Sequence, residues 1–122
     1  MGIEQHDFVR SVNRLAESVY SLHARFGLPS VDNADTDASM EVLRKRLALI
    51  SEELGEHARE LNRSNLQSAA NEAIDIAYIA LGTVLTLGRA GTDACYSIAA
   101  KNDNKTLNSH HSRGSTGKII AR

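Results

Sequence analysis

The chain has 122 residues and a formal net charge of −1, enough for one domain with a real core and hardly enough for two. Balanced charge, with no basic stripe along any segment, gives no electrostatic case for a nucleic-acid binder, and the scarcity of aromatics with no Trp argues against a single-strand stacking platform. The one cysteine, Cys95, precludes an internal disulfide and suits a reducing compartment.

Cys95 itself reads as a small core residue. The N-terminus begins with polar and charged residues and carries no signal-peptide core. The longest apolar stretch, Ala73 to Gly88, contains Asp75 and is short for a membrane span. A soluble, cytoplasmic protein without a membrane or nucleic-acid partner is expected.

From Ile3 to Phe26 the residues Phe8, Val12, Leu15, Val19, Leu22 and Phe26 recur at helical steps and predict a first helix with a narrow apolar stripe. Gly27 can end it, and Pro29 prevents its immediate resumption. His23 falls in the last turn, and spacing alone makes it a surface residue. Ser30 to Ala38 is polar and reads as a loop. Asp37 or Ser39 can cap a second helix that runs from about Ser39 to Leu61.

In that helix Leu43, Leu47, Ile50, Leu54, Ala58 and Leu61 form the main apolar stripe. Leu49, Glu53, Glu56 and Glu60 form another, roughly 110° away at ~100° per residue. One face is expected to enter a bundle and the other to face a site. Gly55 in mid-helix leaves room either for close packing or for a ligand.

Asn62 to Ser68 is a connector too short for anything but an antiparallel return. The third helix, about Gln67 to Leu87, is apolar over most of its circumference and is expected to be mostly buried. Glu72 and Asp75 sit on its remaining strip. Acids on the central helix of a small bundle are costly unless paired or metal-bound.

Gly88 and Gly91 are expected to bracket a turn, and Thr92 or Asp93 to cap a shorter fourth helix ending in Lys101-Asn102-Asp103-Asn104-Lys105. Those lysines and asparagines suit phosphate or base recognition, or form a solvated helix end. Residues 1–106 are read as the helical domain. Residues 107–122 are read as a flexible tail in which His110-His111 is a weak metal candidate and Gly117-Lys118 regains some order.

The acids carry the chemistry. Residues three or four apart share a helix face, so Glu53 with Glu56, and Glu72 with Asp75, converge if the two helices form an antiparallel hairpin. Carboxylates held together raise one another's pKa, and Mg²⁺, a hard cation that takes oxygen ligands and bridges to phosphates, resolves the conflict. The plainer reading is a solvated acidic face on an interaction module. A di-iron bundle is disfavoured, since its Glu-x-x-His pattern is missing.

The pattern E-E-x-x-E followed by E-x-x-D in consecutive helices resembles the MazG-like all-α nucleoside triphosphate pyrophosphohydrolases, in their bacterial and phage branch. Leu22 to Pro29 resembles the H-x-x-F-G-L-P end of that branch's first helix. Arg46 to Glu53 resembles its run into the metal motif, and Asp75 to Thr83 its core helix. Asn102 to Lys105 resembles its N-x-x-K motif, and Gly117-Lys118 its late G-K.

The resemblance implies a four-helix bundle completed by homo-oligomerisation, as a homodimer or homotetramer. It implies Mg²⁺-dependent cleavage of a nucleoside triphosphate between the α and β phosphates, giving a monophosphate and pyrophosphate in a nucleotide house-cleaning role; Mn²⁺ is a possible substitute. Glu53, Glu56, Glu72 and Asp75 would be the metal ligands, with Glu52 or Glu53 as the base. His23, Lys101, Asn102, Lys105 and Lys118 would contact substrate. A phosphoribosyl-ATP pyrophosphohydrolase shares the architecture and is the nearest enzymatic alternative. With no Trp in the chain, the preferred base is left open.

Overall fold

A computed structural model describes residues 2–31 and 35–122. The chain is all-α: among the described residues four helices, α1 (Gln5–Phe26), α2 (Thr36–Asn62), α3 (Leu66–Leu87) and α4 (Arg89–Asp103), precede two short strands, β1 (His110–Ser112) and β2 (Ile119–Ala121). It divides into two compact units, Met1–Thr92 and Asp93–Arg122.

In the first unit α3 packs along α2 and against α1. Gly27 takes a left-handed conformation (φ 58°) and closes α1 by donating its N–H to the carbonyls of Ala24 and His23, as the sequence leads one to expect. The loop that follows is tied to the far end of α3, where Val31 N–H donates to Thr86 O at 2.8 Å. Asp32, Asn33 and Ala34 of the expected Ser30–Ala38 loop lie outside the described residues.

The cap of α2 is Asp35, whose side chain accepts from Ala38 N–H at 2.8 Å, so the helix starts earlier than an Asp37 or Ser39 cap would allow. At its other end, Ser64 with φ 56° turns the chain back. Asn65 then caps α3 by accepting from Ser68 N–H at 3.1 Å. The return is antiparallel: Arg46 on α2 meets Ile79 and Thr83 on α3, whereas Glu53, further along α2, meets Glu72, earlier on α3.

The helix faces differ from expectation. The side of α2 that turns inward carries Leu43, Arg46, Leu49, Ile50, Glu53, His57 and Glu60, all half-buried. The anticipated apolar stripe is split: Leu43 and Ile50 stay on the inward side, whereas Leu47, Leu54 and Leu61 face out, 62%, 55% and 57% exposed. The helix is thus rolled by roughly 90° at ~100° per residue, placing Glu53 and Glu60 inward beside Leu43, Leu49 and Ile50 and leaving Leu47, Leu54 and Leu61 outside. The central helix is also less covered than its composition suggests. Of α3, Ala69, Gly82 and Thr86 are buried, Glu72 is half-buried and Asp75 is exposed.

Among the described residues the buried apolar side chains are Val19 and Ala69. By length and composition α3 is long and apolar enough to cross a membrane, but the core helix of a soluble protein meets the same criterion.

Helix α4 starts directly after Gly88, and Gly91 lies inside it rather than in a turn. Cys95 is exposed, not a core residue. In the second unit, β1 and β2 pair antiparallel, His110 opposite Ala121 and Ser112 opposite Ile119. The segment read as a flexible tail therefore forms a hairpin, closed by Gly117 at φ 75° and by Arg113 N–H donating to Lys118 O at 2.7 Å. Alternation along residues 110–112 and 119–121 is too short to register as strands beside the many polar residues around it.

Candidate active site

The inward roll of α2 brings Glu53 and Glu56, one turn apart, against Glu72 of α3. One carboxylate oxygen from each lies within 4.8 Å of the others. Oε2 of Glu53 and Oε2 of Glu72 are shut off from water and have no hydrogen-bond partner. Two ionised carboxylates in that position have no donor between them. They must share a proton or a cation.

The acid–base behaviour follows. Glu53 is pushed up to about 7, first by desolvation and then by the charge of Glu56, with the hydrogen bond that its protonated form can give to Glu72 and the charges of Asp75 and Glu72 adding to it. Glu72 is raised as well, chiefly by desolvation, against the opposing pull of a hydrogen bond from Glu53 and with the charges of Glu56 and Asp75 adding to the rise.

Asp75, one turn on from Glu72, is exposed and supplies no oxygen to the close group, though its charge is felt by both acids. Glu52 is also exposed and outside the group. Glu60, on the same inward stripe, is withdrawn by an ion pair with Arg63 at 3.2 Å. His57, one turn beyond Glu53, is half-buried and its Nδ1 has no partner.

The donor set fits a hard divalent cation. Three carboxylates that bring oxygens together, two of them carrying a desolvated oxygen, match the oxygen-ligand preference of Mg²⁺. Soft metals favour the thiolate and imidazole donors that this cluster lacks.

His23 belongs to the same unit. It is half-buried rather than the surface residue that spacing suggests, and it stands beside Arg46 and Gly82. Desolvation lowers its pKa, and the charge of Arg46 lowers it further. On its other side His23 helps to wall a groove of about 190 Å³ with Tyr20, Leu28, Pro29 and Leu85.

The other proposed substrate contacts lie in the second unit. Asn102 and Lys105 line a cavity of about 560 Å³ with Thr106, His110, His111 and Ile119. Lys101 and Lys118 are exposed and do not line it. Sequence reasoning missed Arg46 and His57. Their signal was helical spacing from Glu53, seven residues back and four forward. It also undervalued His110 and His111, which only strand pairing brings to the cavity.

An all-α chain with carboxylates gathered on two antiparallel helices is compatible with the MazG-like superfamily of pyrophosphohydrolases, to which the family that matches belongs. Within it, the chain belongs to the phosphoribosyl-ATP pyrophosphohydrolase family, whose model matches residues 19–102 and so spans the end of α1 from Val19, all of α2 and α3, and α4 as far as Asn102. No curated protein and no solved structure matches significantly. The family makes the chain a pyrophosphohydrolase, a hydrolase acting on phosphoric anhydrides.

Proposed function

We propose that the protein is a Mg²⁺-dependent pyrophosphohydrolase of the MazG-like branch that cleaves a nucleoside triphosphate between its α and β phosphates, releasing a monophosphate and pyrophosphate. The observation that carries this reading is the triad Glu53, Glu56 and Glu72, with its two desolvated, unpaired oxygens. Phosphoryl-type hydrolysis asks for charge neutralisation and a placed water rather than covalent chemistry, and this cluster is suited to supplying both.

Glu53, Glu56 and Glu72 would hold the ion, with Asp75 joining from the rim. Bound there, Mg²⁺ would neutralise phosphate oxygens and acidify a water. Glu53, raised to about 7, is matched to taking a proton near neutrality, and Glu52 is the alternative base. His23 would contact the nucleotide. Asn102 and Lys105, with Lys101 and Lys118, would hold phosphate oxygens. Mn²⁺ would substitute for Mg²⁺. A cytoplasmic role in clearing unwanted nucleotides suits the exposed free thiol of Cys95.

The exposed Leu47, Leu54 and Leu61 support a homodimer or homotetramer. They repeat every seven residues along one side of α2, the spacing of a seam between helices. A chain of this length ordinarily buries more than Val19 and Ala69.

Phosphoribosyl-ATP is the second substrate reading, favoured by the family match. Phosphorus NMR of the products from ribo- and deoxyribonucleoside triphosphates and from phosphoribosyl-ATP separates the two. Pyrophosphate from triphosphates supports the first reading, and turnover of phosphoribosyl-ATP alone supports the second. Orthophosphate as the first product contradicts both. No turnover of any substrate, with no thermal shift from Mg²⁺, leaves the acids as the solvated face of an interaction module.

A further inference from the structure

Arg46 is a half-buried arginine with no acidic partner among the described residues. Its Nη2 donates to Ile79 O at 2.6 Å and its Nε to Thr83 Oγ1 at 3.2 Å. Nη1 is left without a partner among the described residues. Both bonds are to neutral oxygens, so they fix the plane of the guanidinium without compensating its charge. A partly desolvated guanidinium ordinarily has an anion beside it.

Its place is also specific. Arg46 lies seven residues before Glu53 on α2, roughly 10 Å at 1.5 Å per residue, and Gly82 lies ten residues after Glu72 on α3, roughly 15 Å. Because α2 and α3 are antiparallel, both displacements run the same way along the groove. The backbone at Gly82 makes room for this arrangement: a Cβ there would stand 2.5 Å from Nη2 of Arg46 and 2.6 Å from Nε2 of His23. His23 in turn opens onto the groove of about 190 Å³ beside Tyr20 and Leu85.

We propose that Arg46 is a substrate-binding residue whose guanidinium, with His23 beside it, holds a phosphate group of the nucleotide about two helix turns from the carboxylate cluster. This rests on the pyrophosphohydrolase reading given above. The phosphate belongs either to the polyphosphate chain or to a second phosphorylated sugar at the other end of the substrate. The planar fork pinned by Ile79 and Thr83 presents donors that an ammonium does not reproduce.

The test is steady-state kinetics of Arg46→Gln, Arg46→Lys and Gly82→Ala on a nucleoside triphosphate and on phosphoribosyl-ATP, with melting curves of each variant. Arg46→Gln is expected to raise KM by about tenfold or more with kcat nearly kept, the signature of lost ground-state binding. Arg46→Lys restores part of this. Gly82→Ala, which pushes both groups aside, raises KM as well. An effect on both substrates assigns the polyphosphate chain, and an effect on phosphoribosyl-ATP alone assigns the second phosphate.

An unchanged KM in Arg46→Gln with a lowered melting temperature overturns the proposal and leaves Arg46 as a pin between α2 and α3. If Arg46→Gln does not fold, Arg46→Lys and Gly82→Ala decide, and native KM values in both overturn it. If the native protein turns over neither substrate, calorimetric binding of inorganic pyrophosphate decides instead. Binding weakened in Arg46→Lys and Gly82→Ala supports the anion site without the enzyme reading; equal or absent binding overturns it.

Discussion

Glu53 shows how a single side chain is held in tension by its fold. Its carboxyl is raised to about 7 from an ordinary value of 4.5, so between those values the folded state binds protons that the unfolded chain has released. Stability contributed by this group is full below about pH 4.5 and is lost as the pH rises through about 7. Glu72 shifts in the same direction. In EDTA the melting temperature is therefore expected to fall between pH 5 and pH 7.5, and to fall less in Glu53→Gln. A native profile that is flat or rising over that range goes against the shared-proton account.

On the proposed reading Mg²⁺ should act oppositely, because it would bind the ionised cluster. At a hundred times its dissociation constant it would stabilise the fold by about 2.7 kcal/mol, read as a rise in melting temperature above pH 7. Glu72→Gln should lose most of that rise. The sequence showed that Glu53, Glu56 and Glu72 could meet, because helical spacing fixes which residues share a face. It could not show that Asp75 and Glu52 stand outside the close group, since that depends on how far each helix is rolled.

At the scale of elements, the main departure is the roll of α2. Periodicity located both stripes correctly but could not rank them, because apolar area alone favours burying Leu47, Leu54 and Leu61. In a single chain those leucines are exposed. The cost of exposing them, and of facing acids inward, is offset if a cation fills the acidic face and a second copy covers the leucines. Leu54→Glu is expected to shift light-scattering mass from dimer or tetramer towards monomer while leaving helix content unchanged. An unaltered mass would place the oligomer contact elsewhere.

The caps were legible only in kind. An Asp caps α2, but Asp35 does so. Asp35→Ala should cost about 1 kcal/mol in denaturant unfolding, and Asp37→Ala much less. Helix ends at Gly27 and Gly88 were readable because glycine alone takes those conformations readily. The hairpin was not, since three-residue strands give too little alternation.

For the whole molecule, the all-α class and the pyrophosphohydrolase family follow from two helices of acids and a family match over residues 19–102. What converts that architecture into a specific reaction is the ion and the nucleotide it would hold. The most direct measurement is pyrophosphate release from nucleoside triphosphates, with Mg²⁺ and with EDTA, by the native protein and by Glu53→Gln and Asp75→Asn. The account predicts release that needs Mg²⁺ and falls in Glu53→Gln by more than the roughly 10–100-fold typical of residues that only support a metal ligand, with Asp75→Asn also impaired. Release that persists in EDTA, or that survives Glu53→Gln at the native rate, would contradict it.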